Sequence, residues 1–313
     1  MTTQQPVLAA IDFSDASDEA LRQAHAEALR RHTGLVVCHV LPESFRVRVL
    51  FPHEAGVDLP AQAALEGQAR DVMRARVDDI LGPTAVSVTL EVDAGSPHAG
   101  ILDVADRVLA GLVVTGPGPT AARVARASHF PVLIARPSPA RGPVLGATDF
   151  STAALPALTA AAELAAAATD PLIVMHCLDV EPTAAMVATS AGGMVPMPFM
   201  PEVMLQEMTA QATERLEEAL ASFGVPGRVL VLLAPAGRGI VDAASAERAT
   251  RVVVGTHGRA GFARLLMGSV ADYVASHAPC SVLVVPLTPE PAAETEAVPA
   301  AAVPLNLDAA VPT

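Results

Sequence analysis

Two rhythms of apolar residues alternate along the chain. Runs of five to seven apolar residues, such as LVVCHVL from Leu35 and SVLVV from Ser281, are separated by longer stretches in which apolar positions recur at helical spacing. A strand buried on both faces reads as such a run and an amphipathic helix as such spacing. The order is therefore that of β-α-β units, in which helices cover both faces of a parallel sheet. In the C-terminal half the pattern predicts strands near 143–148, 171–178, 228–234, 251–255 and 281–286. Helices are predicted near 152–168, 202–222, 238–248 and 269–277.

The pattern is written twice. Asp12-Phe13-Ser14 lies over Asp149-Phe150-Ser151 at an offset of 137, and His39 lies over His176 at the same offset. GILDVADRVLAGLVVTG aligns with GIVDAASAERATRVVVG at 139 and PVLIARP with SVLVVPL at 150, so the first copy lacks eleven residues between Gly116 and Pro131. Two α/β domains are expected, 1–138 and 139–287, each a doubly wound, Rossmann-like parallel sheet of five strands with four helices. The Pro- and Ala-rich acidic tail, 288–313, is expected to be disordered. PVLIA (Pro131 to Ala135) and SVLVV are apolar enough to pair across an intrachain pseudo-dimer interface, because so apolar an edge left open would invite aggregation.

Composition narrows the chemistry. Hydrophobic residues make up 51% of the chain but aromatic ones only 3%, so the core must be built from Ala, Val and Leu. Every basic residue is Arg, which excludes a Walker-A lysine and Schiff-base catalysis. A net charge of −13, to which Glu290, Glu294, Glu296 and Asp308 of the tail contribute, argues against nucleic acid or an anionic membrane as partner. Cys38, Cys177 and Cys280 stand singly in apolar runs with no C-x-x-C pair, as expected of a reduced, cytoplasmic protein. MTTQQPVLAAIDFSD lacks the basic and long apolar regions of a signal peptide and reads as a first strand. The uncharged run from Pro182 to Pro201 holds too many prolines and glycines for a spanning helix. Met186, Met194, Met197, Met200, Met204 and Met208 are read as an irregular loop filling gaps over the core, with an adaptable lid as the alternative.

The glycines carry the functional signal. In an open parallel sheet a ligand binds outside the carboxyl ends of the strands. Here the strands ending at Asp149 and Gly255, if neighbours, face one crevice. After Gly255 the chain runs THGRAGFARLLM and opens a helix at Gly268-Ser269, whose backbone N–H groups and dipole form an anion site. The Ser269 hydroxyl either caps that helix or donates to a phosphate oxygen. Arg259 or Arg264 would add charge.

Gly255-Thr256-His257-Gly258, nine residues, then Gly268-Ser269 resembles the G-x2-G-x9-G-[ST] nucleotide loop of universal stress proteins. ATDFS resembles that family's first turn, and SVADYVASHAPCSVLVVP its last helix and strand. The resemblance extends as a tandem pair to about Pro286 and implies HUP-type α/β domains, with ATP bound in the second. It implies backbone contacts to ribose and phosphates from Gly255, Gly258, Gly268, Ser269 and Val270, with Asp149 nearby. Ala147, Thr148 and Val254 would line the pocket wall and Cys177 the adenine edge, with His257 and Arg259 as further phosphate contacts. Mg2+ would bridge the phosphates, and a homodimer of chains is the further association expected of such a protein.

The first copy keeps Asp12, Ser14 and His39 but has lost the loop, so it is expected to serve as the second copy's folding and docking partner. Its GPGPTA (Gly116 to Ala121) matches a dinucleotide fingerprint, but Pro117 and Pro119 remove amide donors and the strand is the fourth of its copy. No G-x-S-x-G elbow and no zinc-ligand spacing occurs; His53 and His98 read as solvated, and His39 and His176 as packed or bonded to backbone. Glu214, Arg215, Glu217 and Glu218 read as a solvated helix face. The function expected is nucleotide-dependent sensing or partner binding. The alternatives are a slow ATP-hydrolysing or nucleotidyl-transferring enzyme and a nucleotide-free interaction module.

Overall fold

The computed structural model describes residues 5–42, 62–179, 184–188, 194–198, 202–256 and 267–287. The first copy runs β1 (Val7–Ala10), α1 (Asp15–Arg30), β2 (Leu35–Pro42), α2 (Gln62–Leu81), β3 (Val88–Gly95), α3 (Pro97–Val108), β4 (Leu112–Thr115), α4 (Pro119–Ala127) and β5 (Val132–Ile134). The second runs β6 (Val144–Ala147), α5 (Leu155–Ala168), β7 (Leu172–Leu178), β8 (Ala184–Ala188), β9 (Met194–Pro198), α6 (Glu202–Phe223), β10 (Gly227–Leu233), α7 (Ala236–Ala246), β11 (Arg251–Gly255), α8 (Ser269–His277) and β12 (Ser281–Val285).

Among the described residues these strands form one ten-stranded sheet in the order β10-β7-β6-β11-β12-β5-β4-β1-β2-β3, with β8 and β9 apart from it. Within the ten-stranded sheet, the strands of each copy pair in parallel. The copies join where β12 and β5 pair antiparallel, Val282 opposite Ile134, Leu283 opposite Leu133 and Val284 opposite Val132. The pseudo-dimer is thus a shared sheet whose two most apolar strands close each other's edge.

The sheet is covered on both faces by cores that cross the seam. On one face α3, α4, α7 and α8 pack through Ile101, Val124, Ile240 and Val274; on the other α1 and α5 pack through Leu21 and Leu158. Small residues let the helices approach closely. A Cβ on Gly239 of α7 would stand 2.8 Å from Cys177 Sγ, and one on the matching Gly100 of α3 would stand 2.9 Å from Val40.

The seam also carries charge. Glu27 on α1 is buried and accepts from Arg30 Nη2 at 2.6 Å and from Arg251 Nη1 of the other copy at 2.8 Å. Burial pushes the Glu27 carboxyl up, but the arginines, Arg251 foremost, outweigh burial and hold it below the ordinary range. Nearby, Arg136 donates from its backbone N–H to Ser281 Oγ at 3.0 Å and from Nη2 to the Ala275 carbonyl at 2.5 Å.

Two expectations change. The helix predicted from 152 begins at Leu155, after a 3-10 turn over Thr152–Ala154. Pro156 explains this, because its ring would clash with the Thr152 carbonyl in a longer α-helix. The methionine stretch read as a loop contains the antiparallel pair β8–β9, Ala184 opposite Pro198 through Ala188 opposite Met194, while Met204 and Met208 fall on α6. Two short apolar runs flank the sequence Thr-Ser-Ala-Gly-Gly, a hairpin signal in the sequence that the methionine content obscured. The tail lies outside the described residues.

Candidate functional site

The crevice lies where the second copy's strand order reverses. From β6 the chain moves outward to β7 and β10, then crosses back to β11 on the opposite side of β6. The connections after β6 and β11 therefore diverge, and a gap opens above their carboxyl ends. Arg251 pairs with Val144 and Val253 with Gly146. Continuing that register brings Val254 and Gly255 beside Ala147 and Thr148.

The turn after β6 is held under strain. Thr148 N–H donates to the Met175 carbonyl at 3.0 Å, and Thr148 Oγ1 accepts the Phe150 N–H at 3.0 Å. Phe150 has φ of 64°, a left-handed conformation that costs a bulky side chain about 1–3 kcal/mol. Packing offsets this: the Phe150 ring lies 4.4 Å from the His176 ring, with the Arg215 guanidinium 5.5 Å over it. His176 Nδ1–H donates to the Thr148 carbonyl at 2.7 Å. Asp149 follows Thr148 in this turn, and its Oδ1 accepts from Ser151 N–H at 3.0 Å and Ser151 Oγ–H at 2.6 Å.

The first copy repeats the device. Phe13 has φ of 63° and packs 4.6 Å from His39, whose Nδ1–H donates to the Ile11 carbonyl at 2.8 Å. The paired histidines are therefore turn supports, as packing and backbone bonding predicted. Burial pushes Asp12 up, but the Ser14 hydroxyl and amide bonding it outweigh that and lower it overall.

The opposite wall of the crevice is the start of α8. The N-cap is Gly268, and no side chain caps the helix. This corrects the capping role considered for Ser269, which stands one residue inside. Gly268 N–H donates to the Thr256 carbonyl at 2.7 Å and ties the two ends of the loop together. The amides of Ser269, Val270 and Ala271 have no acceptor within the helix, and Ser269 and Val270 are exposed. Gly268 has φ of −62° and a Cβ there would stand 3.4 Å from the Thr256 oxygen, an ordinary contact. Among the described residues neither conformation nor packing requires glycine here, whereas a ligand approaching the backbone would.

Ala147, Val254 and Cys177 pack with the core on the α7–α8 side. Cys177 Sγ lies 3.8 Å from the Ala236 carbonyl, and burial, with the Asp179 charge, pushes its thiol up to about 11. The thiol is thus protonated and unreactive near neutral pH. Gly258, His257 and Arg259 lie outside the described residues, as does Arg264.

In the first copy β4 ends at Thr115 and α4 begins at Pro119, so a three-residue connection replaces the loop. Gly118 there has φ of 141° and is required by conformation, while Pro119 offers no amide donor. Among the described residues no group of three or more His, Cys, Asp or Glu gathers for a metal. No helix among them is long and apolar enough to cross a membrane. One contact at the start of α8 escaped sequence reasoning: Asp272, in its first turn, pairs at 2.5 Å with Arg126 on α4 of the first copy.

Comparison with known proteins follows the repeat. The sequence model of the Universal stress protein family matches residues 4–136 and again 141–286. The universal stress protein Sll1388 of Synechocystis is 32% identical over 149 residues, covering 46% of this chain and 97% of that protein. MJ0531 of Methanocaldococcus jannaschii is 28% identical over 138 residues, covering 44% of this chain and 78% of its own. The crystal structure of a universal stress protein from Archaeoglobus fulgidus superimposes with a TM-score of 0.61 at 15% identity, covering 92% of this chain and 98% of that one.

Proposed function

The chain belongs to the universal stress protein family, with two copies of the domain in tandem, and from that premise we propose that its second copy binds ATP and signals through nucleotide-dependent shape or partner binding. The observation that carries the reading is the start of α8, which no side chain caps and whose N-cap glycine is required by neither its φ nor its contacts among the described residues. Phosphate oxygens would accept from the Ser269 and Val270 amides, where the helix dipole favours negative charge. Ribose would lie between Asp149 and Gly255, and the adenine against Ala147, Val254 and Cys177. Thr148, bonded through its carbonyl to His176, sets the position of this wall. Gly258, His257 and Arg259 would complete the phosphate side.

A divalent ion such as Mg2+ would take its ligands chiefly from the phosphates and water, as hard cations at nucleotides do. Asp149 is engaged by Ser151. Its role is to hold and orient, and turnover of bound ATP is expected to be slow. The first copy, 1–138, acts as scaffold, its short β4–α4 connection offering no loop of amides to hold a triphosphate.

Calorimetric titration of Mg-ATP into nucleotide-stripped protein tests this. One site per chain, lost in Gly268→Val and in Gly258→Val while both variants melt as the wild type does, is the expected result. Two sites per chain would overturn the scaffold role of the first copy. No binding to the wild type would overturn the nucleotide reading altogether.

A further inference from the structure

Asp272 occupies an awkward place for a protein that holds a polyphosphate. It stands four residues into α8 from the Gly268 N-cap, about 6 Å along the axis. A carboxylate in that turn draws on the same positive helix end that the phosphates would use. Left alone it would place a negative charge beside an incoming tri-anion or tetra-anion. It is not left alone: Arg126 Nη2, near the end of α4 in the first copy, holds Asp272 Oδ1 at 2.5 Å. The arginine reaches it because α4 and α8 meet across the pseudo-twofold seam, bringing the end of one helix to the start of the other. The counterpart contact is absent from the sequence, since Ser276 and Ala122 occupy the symmetry-related positions.

Resting on the ATP-binding reading, we propose that Arg126 is a positioning residue for the second copy's phosphate site, supplied by the copy that lost its own loop. It neutralises Asp272 and draws the carboxylate toward the seam, leaving the α8 amides to the ligand. The first copy thereby sets the affinity of the second. A partner or modification that pulled α4 away from α8 would weaken nucleotide binding without touching the pocket.

The test is a double-mutant cycle read by Mg-ATP titration at low and high salt on wild type, Arg126→Gln, Asp272→Asn and the double variant, with Arg126→Lys as the conservative control. Arg126→Gln should weaken ATP binding about fivefold at low ionic strength. That loss should shrink as salt screens the exposed carboxylate. Asp272→Asn and the double variant should bind at least as tightly as wild type, and Arg126→Lys should stay close to it. Because the charge on Asp272 causes the loss, its removal rescues the arginine variant; a merely structural arginine would show no such rescue. Unchanged ATP affinity in Arg126→Gln, a double variant as weak as Arg126→Gln, or a loss indifferent to salt would each overturn the proposal while leaving the ATP reading intact. A wild type that binds no ATP would overturn the reading and this proposal with it.

Discussion

Replacing Glu27 by Gln probes the seam where the copies exchange charge. The carboxylate accepts from Arg30 at 2.6 Å, Arg31 at 3.4 Å and Arg251 at 2.8 Å, and its side chain is only 7% exposed. Each hydrogen bond to a charged group contributes about 1.5–3 kcal/mol when desolvated. Arg30 and Arg31 are about a third exposed and can turn to water, so their share is small. Arg251 is 19% exposed and would be left as an uncompensated cation between the copies. The substitution should therefore cost about 3 kcal/mol at neutral pH, at the low end for a broken buried pair. The pH dependence has a definite sign. The folded carboxyl is held below its unfolded value, so its contribution is complete above the unfolded pKa, about 4.3, and is lost as pH falls through the lower folded value. Urea unfolding followed by circular dichroism at neutral pH and in acid should show a gap between wild type and Glu27→Gln that is full above about pH 4.3 and narrows as the pH falls below it. A gap under about 0.5 kcal/mol at neutral pH, where ordinary surface substitutions fall, or one that does not narrow in acid, would refute the argument.

Close packing of α7 on β7 predicts that Gly239→Ala, whose Cβ would stand 2.8 Å from Cys177 Sγ, lowers stability by about 1–3 kcal/mol. Adding Cys177→Ala should restore most of it, as read by thermal melting. All three thiols are pushed up by burial, Cys38 to about 12 and Cys177 and Cys280 to about 11, so at pH 8 the native protein should react slowly with Ellman's reagent. Three thiols should appear at once in denaturant, and a fast-reacting native thiol would contradict the burial argument.

Much of this protein was legible in its residues taken in order. Strands buried on both faces must be continuous apolar runs, so β7, β11 and β12 could be placed within a residue or so of their ends, and the doubling of the D-F-S turn exposed the tandem copies. The apolar character of PVLIA and SVLVV foretold the seam because an open edge of that kind is costly in water. Local signals misled where two of them competed: methionine content outweighed the hairpin pattern of β8 and β9, and Pro156 moved the start of α5.

What the linear order could not carry is whatever depends on residues far apart in it. Glu27 and Arg251 are 224 positions apart, and Arg126 and Asp272 are 146 apart; taken singly, each reads as a solvated surface charge. The left-handed Phe150 is likewise invisible, because the His176 ring and the Arg215 guanidinium that help make that strained conformation tolerable are brought over it by β7 and α6. Periodicity and turn chemistry are local and so were determined by the sequence alone. Ion pairing, strain and the neutralisation of one copy's charge by the other are set by which surfaces the shared sheet brings together, and only the tertiary structure decided them.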